Sequence, residues 1–276
     1  MKRSITLASL RALGLLGLAA FIVVTQRPAL AFGLRASKWL PPLWHRMCRR
    51  ILGMEVTVSG KPLIEGPALF VANHISYLDV TALGSVVDAC FVSRADVRDW
   101  PIFGYLSTLQ RTIYVERRPR YARQQMLELA DRLAGGDRLI LFPEGTSSDG
   151  NSILPFKSTL FGAAELKVDG RAVPVQPISV AYTRLDGVPL GRHLRPLYAW
   201  YGDMDFASHF WCLLGYGRFR VDIVIHDPVT LEDFTSRKEL SRHCERTIVR
   251  GFSDAISGKP SRSPVSTLAL SGTSTA

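Results

Sequence analysis

Cysteine is scarce. Only Cys48, Cys90, Cys212 and Cys244 occur, scattered through apolar or helical surroundings. That is no disulfide framework, and the four read as reduced thiols of a reducing compartment. There is no zinc-finger spacing and no RNA-binding RNP pattern, so nucleic acid has no support as a partner. A G-x-S-x-G nucleophile elbow is missing, and so is a G-x-x-x-x-G-K-[ST] phosphate loop. No histidine pair has the helical spacing of metal ligands, so no metal site is expected. Acidic residues are in deficit, 24 against 34 lysines and arginines, for a net charge of +10. That excess favours anionic partners such as phospholipid headgroups or an acidic protein. Charged residues make up 21% and hydrophobic ones 47%, enough for a substantial core and against global disorder. No internal repeat or second globular domain is visible.

What is present begins with an apolar run. Ile5–Val24 spans 20 residues with one charge, Arg11. That length crosses a bilayer, provided Arg11 snorkels or the deep part is confined to Ala12–Val24. Positive residues on both sides leave its orientation open. Ala29-Leu30-Ala31 resembles a signal-peptide cleavage site, but the run is long for a signal peptide, so a retained anchor is preferred. Trp39, Leu40, Leu43 and Trp44 followed by Arg46, Arg49 and Arg50 suit a helix at headgroup level, or equally a helix packed on a core. Residues 1–50 are thus a transmembrane or interfacial anchor.

Beyond it, strand-like and helix-like stretches alternate. The expectation is an α/β fold: a mixed, mostly parallel sheet flanked by helices, in one domain over residues 51–256. Helical spacing is read at Tyr121–Leu133, ending at Gly135-Gly136, and at Phe156–Val168. Val173–Val180 is strand-like, with prolines that suggest an edge or an interrupted start. The Ser, Thr, Pro and Gly-rich stretch 257–276 reads as a disordered tail.

Two places carry chemistry. The run Ala68–Ala72 leads into Asn73-His74-Ile75-Ser76-Tyr77-Leu78-Asp79, then an apolar-periodic segment. Strand, turn and helix put His74 just past a strand's carboxyl end, where open α/β sheets bind ligands. Asp79, five residues on, could hold the imidazole as a general base. Ser76-x-x-Asp79 also matches a helix capping box, with Ser76 as N-cap. The second place is Phe142-Pro143-Glu144-Gly145-Thr146, after the strand-like Leu139–Phe142. A histidine base with no protein nucleophile suggests direct attack by a substrate hydroxyl.

In these residues the sequence resembles the lysophospholipid (glycerolipid) acyltransferase family. Asn73-His74-x-x-x-x-Asp79 matches its first motif. Arg111–Arg117 resembles the second, G-x-x-F-[IV]-D-R, with Arg111 for Gly, Tyr114 for Phe and Glu116 for Asp. Phe142–Thr146 matches the third and Val173-Pro174-Val175 resembles the fourth, in order over residues 50–230. The resemblance implies acyl transfer from a thioester to a lipid hydroxyl, with His74 as base and Asp79 orienting it. It implies that Glu144, Gly145 and Thr146 shape the acceptor site, with Arg117 and Lys157 as headgroup contacts. For those two cations a plain solvated surface charge is the competing role. No bound cofactor is implied; acyl carrier protein or coenzyme A would bring the acyl group, and membrane lipids and acyl carrier protein would be partners. A bacterial-type inner membrane with the catalytic domain cytoplasmic follows from the same chemistry. Where glycerol-phosphate members commonly run on from Thr to Arg, this chain reads Thr146-Ser147-Ser148-Asp149-Gly150, which looks like the lyso-ornithine lipid branch. A 1-acylglycerol-3-phosphate acceptor is the alternative. The rival of another class is a non-enzymatic, membrane-anchored module that binds anionic lipid.

Overall fold

The structure, a computed structural model, describes residues 3–63, 65–116, 119–259 and 265–268. It opens with helices α1 (Ile5–Ala31) and α2 (Ala36–Leu52). Strands β1 (Met54–Ser59) and β2 (Ala68–Ala72) lead to helix α3 (Leu78–Gly84). Then come β3 (Cys90–Arg94), α4 (Phe103–Leu109), β4 (Ile113–Val115), α5 (Ala122–Ala134) and β5 (Arg138–Leu141). The ribbon β6 (Lys167–Val168) and β7 (Arg171–Ala172) precedes the long β8 (Val175–Leu185) and the short β9 (Val188–Pro189). The chain closes with α6 (Phe206–Leu214), β10 (Phe219–Ile225), α7 (Arg237–Ile256) and β11 (Val265–Leu268).

The main sheet has the order β11-β1-β10-β8-β2-β5-β3-β4, with β9 folded back on β8. From β8 through β4 all neighbours are parallel. β10 runs antiparallel to β8, and β1 is parallel to β10. This is the expected mixed, mostly parallel α/β sheet. β2 is apolar throughout because both its faces are covered. Alternation sends Phe70 and Ala72 to a cluster with Leu83 of α3 and Leu214 of α6; Leu69 and Val71 go to another with Leu133 of α5 and Ile248 of α7. Each such fully buried Leu or Phe contributes roughly 1.5–3 kcal/mol.

Several local expectations are corrected. Phe156–Val168 is not an α-helix; a 3₁₀ segment, Ser158–Glu165, runs into β6. The proline-bearing strand is central, not an edge. Pro177 lies one residue beyond the last β10 partner, Ile178; its carbonyl accepts from His226 N at 3.0 Å, and the His226 carbonyl that an N–H at 177 would have met accepts from Gln176 Nε2 at 2.9 Å instead. Within the tail expected to be disordered, Val265–Leu268 pairs antiparallel with β1. The remainder, 260–264 and 269–276, lies outside the described residues.

The N-terminal helix is long and apolar enough to cross a membrane, yet it is bonded along its length to the domain. The Arg11 guanidinium does not snorkel. It is buried and donates to the carbonyls of Leu214 (3.1 Å), Tyr216 (2.5 Å) and Gly217 (3.3 Å), at the end of α6. Gln26, fully buried, donates to Ser37 O and Leu109 O, each at 2.9 Å. Leu18 and Ile22 pack on Leu40 and Trp44 of α2. The opposite row, Leu10, Leu13, Leu16 and Val24, is bare, as is Trp39. A contiguous apolar surface of this kind marks a contact with lipid or protein, and the segment is membrane-associated.

Candidate active site

His74 stands two residues past the end of β2, and the residue between fixes it. Asn73 is fully buried; its Nδ2 donates to Val180 O (2.9 Å) and its Oδ1 accepts from Val180 N (2.8 Å). That double bond pins the end of β2 to β8. His74 then turns its Nδ1 to Asp79 Oδ2 at 2.9 Å, and its ring stacks on Phe142 at 4.2 Å between centroids. The imidazole is 22% exposed, while Asp79 is wholly buried.

Asp79 closes the turn as well as meeting the His74 ring. Asp79 Oδ2 also accepts from Ile75 N (2.6 Å) and Ser76 N (2.9 Å), closing the turn ahead of α3. Ser76 is not the cap: Tyr77 occupies the N-cap position, without a side-chain bond, and Ser76 Oγ has no hydrogen-bond partner among the described residues. Asp79 Oδ1 accepts from Tyr182 Oη at 2.8 Å. Burial, with Asp79 beside it, holds the Tyr182 phenol far above its usual range, so it stays a donor. Tyr182 carries no local sequence signal; its partner is 103 residues away.

Glu144 is a strut. Its Oε1 accepts from His74 N (2.6 Å) and its Oε2 from Leu154 N (2.7 Å), at 1% exposure. Burial pushes its carboxyl up to about 8, with the two backbone N–H groups pulling down and Asp79 and Glu245 pushing up. Gly145 takes φ 70°, the left-handed turn that favours glycine. Thr146 is exposed beside it, and Ser148 N donates to His74 O at 2.9 Å. Lys157 is exposed, and its backbone N–H reaches Pro143 O at 2.9 Å, so it stands next to the turn. Arg117 lies outside the described residues. Arg111 occupies a left-handed position (φ 62°), which accounts for the glycine usual there, and its guanidinium is spent on Asp137 at 2.5 Å.

A half-buried aromatic wall flanks the turn. Tyr77, inside the His74–Asp79 loop, meets Phe206 at 4.9 Å; Phe206 meets Phe103 at 4.5 Å, and Trp100 meets Trp200 at 5.3 Å. Ser147 Oγ donates to Trp200 O, and Trp200 N donates to Ile75 O at 3.0 Å. His74 thus faces outward between this wall and the Glu144 turn, with its Nε2 unbonded among the described residues. No group of three or more possible ligand side chains that could hold a metal is present among them.

Residues 55–181 match the family model described as Acyltransferase. The chain is 40% identical over 230 residues to a lyso-ornithine lipid O-acyltransferase of Rhizobium meliloti, covering 82% of this chain and 79% of that one. It is 29% identical over 209 residues to a 1-acyl-sn-glycerol-3-phosphate acyltransferase of Neisseria meningitidis, covering 74% and 77%. In fold it resembles the crystal structure of the 1-acyl-sn-glycerophosphate (LPA) acyltransferase PlsC of Thermotoga maritima, with TM-score 0.58, 22% identity, and 85% and 88% coverage. With its motif turns built as above and its likeness spanning most of full-length relatives, the chain belongs to the acyltransferase family.

Proposed function

We propose that this chain moves an acyl group from an acyl thioester to the free hydroxyl of a single-chain lyso-lipid, with lyso-ornithine lipid as the acceptor. The observation that carries the chemistry is the His74–Asp79 bond with Nε2 left open. The acceptor hydroxyl gives its proton to Nε2 as its oxygen attacks the thioester carbonyl carbon. Asp79 holds the other ring nitrogen and stabilises the imidazolium. The tetrahedral intermediate expels the thiolate, and the imidazolium returns the proton to that sulfur, leaving an ester and a free thiol. His74 and Asp79 are the catalytic pair. Glu144 and Gly145 set the turn, Thr146 and Lys157 border the acceptor, and Arg117 is a candidate headgroup contact. The acyl donor is acyl carrier protein or coenzyme A thioester.

The choice of acceptor rests on the turn after Thr146. Ser147 is neutral and its hydroxyl donates to Trp200 O, so position 147 itself offers no cation to a phosphate. Two residues on, Asp149 holds Asn151 N at 2.9 Å, with Arg192 within electrostatic reach. Arg195 bonds Asn151 Oδ1 at 3.3 Å, and its Cβ would lie 3.7 Å from a Cβ at Gly150, which itself abuts Ile75. A carboxylate beside cations next to the catalytic loop suits a headgroup with an amine and a carboxylate. The stronger likeness to lyso-ornithine lipid acyltransferases points the same way. With one acyl donor held fixed, kcat/KM should be higher for lyso-ornithine lipid than for 1-acylglycerol 3-phosphate. Asp149→Asn should lower the first about tenfold, roughly 1.4 kcal/mol, and Ser147→Arg should shift the ratio towards the phosphate acceptor. A tenfold wild-type preference for the phosphate acceptor would assign the chain to the alternative.

The proposed setting is the inner face of a bacterial inner membrane, with the catalytic domain cytoplasmic and residues 1–50 retained. Cleavage after Ala31 would remove Arg11 and Gln26, which tie the helix to α6 and α4. N-terminal sequencing of the membrane fraction is expected to find the uncleaved start; a mature chain beginning at Phe32 would refute retention.

A further inference from the structure

Helix α7 carries Lys238, Arg242, Arg246 and Arg250, each four residues after the last and all exposed. Residues four apart on a helix are neighbours, so this is one row of like charge, which opposes helix formation. The helix has carboxylates, but each makes its hydrogen bonds or nearest ion contact elsewhere, although Arg242 and Arg246 act on Glu239 through space. Glu239 accepts from Thr235 N and Oγ1 at the helix start, Glu245 accepts from Phe156 N at 2.8 Å, and Asp254 is 3.9 Å from Lys259. Among the described residues none of the four cations is in an ion pair. Val249, 42% exposed, sits beside Arg246 and Arg250.

The row's place in the fold narrows what it meets. Leu240, Cys244 and Ile248 pack α7 against Leu69 and Val71 on one face of β2, and Phe252 near its end reaches the other cluster. α1, α2 and α6 pack through Ala8, Leu52 and Leu214 on the opposite face, with Phe70 and Ala72. The sheet therefore separates most of the basic row from the bare apolar helix that marks the membrane side. The helix nonetheless touches the catalytic turns. Glu245 holds Phe156, two residues after the Leu154 that holds Glu144, and Ile248 O accepts from Ser179 Oγ at 2.9 Å, one residue before the Val180 bonded to Asn73.

We propose that the exposed basic row of α7 is the docking surface for an acidic soluble protein that carries the acyl thioester and presents it to His74. This rests on the acyl-transfer reading above and selects a protein-borne donor within it. Facing positive and negative surfaces speeds and orients encounter, and is weakened by salt.

The test uses the full chain in lipid nanodiscs, one fixed lyso-lipid acceptor, and two donors with the same acyl chain: acylated bacterial acyl carrier protein, and acyl-pantetheine, which has neither protein nor phosphate. The variant is Arg242→Glu/Arg246→Glu, with its melting temperature checked against wild type. KM for the protein-borne donor is expected to rise tenfold or more, to lose most of its salt dependence, and to leave kcat and the acyl-pantetheine reaction unchanged. Equal effects on both donors, or on neither, would overturn the docking surface while leaving acyl transfer intact. Turnover by wild type of acyl-coenzyme A but of neither of these donors would overturn the docking surface alone, whereas no turnover of any of the three would refute the acyl-transfer reading, and this proposal with it. Loss of binding to phosphatidylglycerol vesicles in the variant would assign the row to the membrane and also overturn the proposal.

Discussion

Replacing His74 by alanine is expected to lower acyl transfer by a factor of about 100 or more, while association with membranes persists. No other group bonded within the loop combines an exposed ring nitrogen with a buried carboxylate partner. The membrane-facing surface lies on α1 and does not involve His74. Asp79→Asn should be as damaging for a further reason. Four donors converge on that carboxylate: His74 Nδ1, Ile75 N, Ser76 N and Tyr182 Oη. An amide presents an NH₂ group to some of them whichever way it turns, and the imidazole loses its fixed tautomer. The expected loss in kcat is on the order of 10³ to 10⁴, as for amidation of the orienting carboxylate in a Ser-His-Asp triad. A lower melting temperature should accompany it. A variant with reduced stability and near wild-type kcat would leave Asp79 only its capping role.

The second large effect is expected at Glu144. Glu144→Ala leaves the N–H groups of His74 and Leu154 buried without acceptors. Each orphan costs about 1–3 kcal/mol, against a total stability of about 5–15 kcal/mol for a domain. The melting temperature should fall by about 10 °C, and activity should vanish because the backbone that aims His74 is freed. pH supplies a second readout. The Glu144 carboxyl is raised from about 4.5 to about 8 in the fold by burial. The folded state therefore binds a proton more tightly than the unfolded chain between those values, and the Glu144 contribution to stability declines as pH rises through that window. Melting temperature measured from pH 5 to 8 should fall more steeply in wild type than in Glu144→Gln. Parallel profiles would show that this carboxyl does not titrate there.

How much of this the sequence made legible differs by element. The β2–turn–α3 unit was readable because its apolar run, its turn and its polar residues are contiguous. The third motif was readable because the strand before it is short and, after Arg138, wholly apolar. Glu144's part as a strut was not, since it depends on where two loops 70 residues apart meet. Tyr182 was hidden for the same reason. Pro177 was misplaced because proline's cost depends on what meets the carbonyl opposite its missing N–H, and here the Gln176 side chain does, at His226 O. The anchor reading was right about apolar length and about Arg11 as its one charge, but could not see that charge's partners, which lie at the end of α6, more than 200 residues on.

The most direct test of acyl transfer to lyso-ornithine lipid is lipid analysis of a bacterial host that accumulates that lipid for want of its own acyltransferase, with this chain or its His74→Ala variant added back. Conversion of lyso-ornithine lipid to the two-chain ornithine lipid by the wild-type chain, and none by the variant, is the expected result. Persistence of lyso-ornithine lipid, with rescue instead of a host that lacks 1-acylglycerol-3-phosphate acyltransferase, would contradict it.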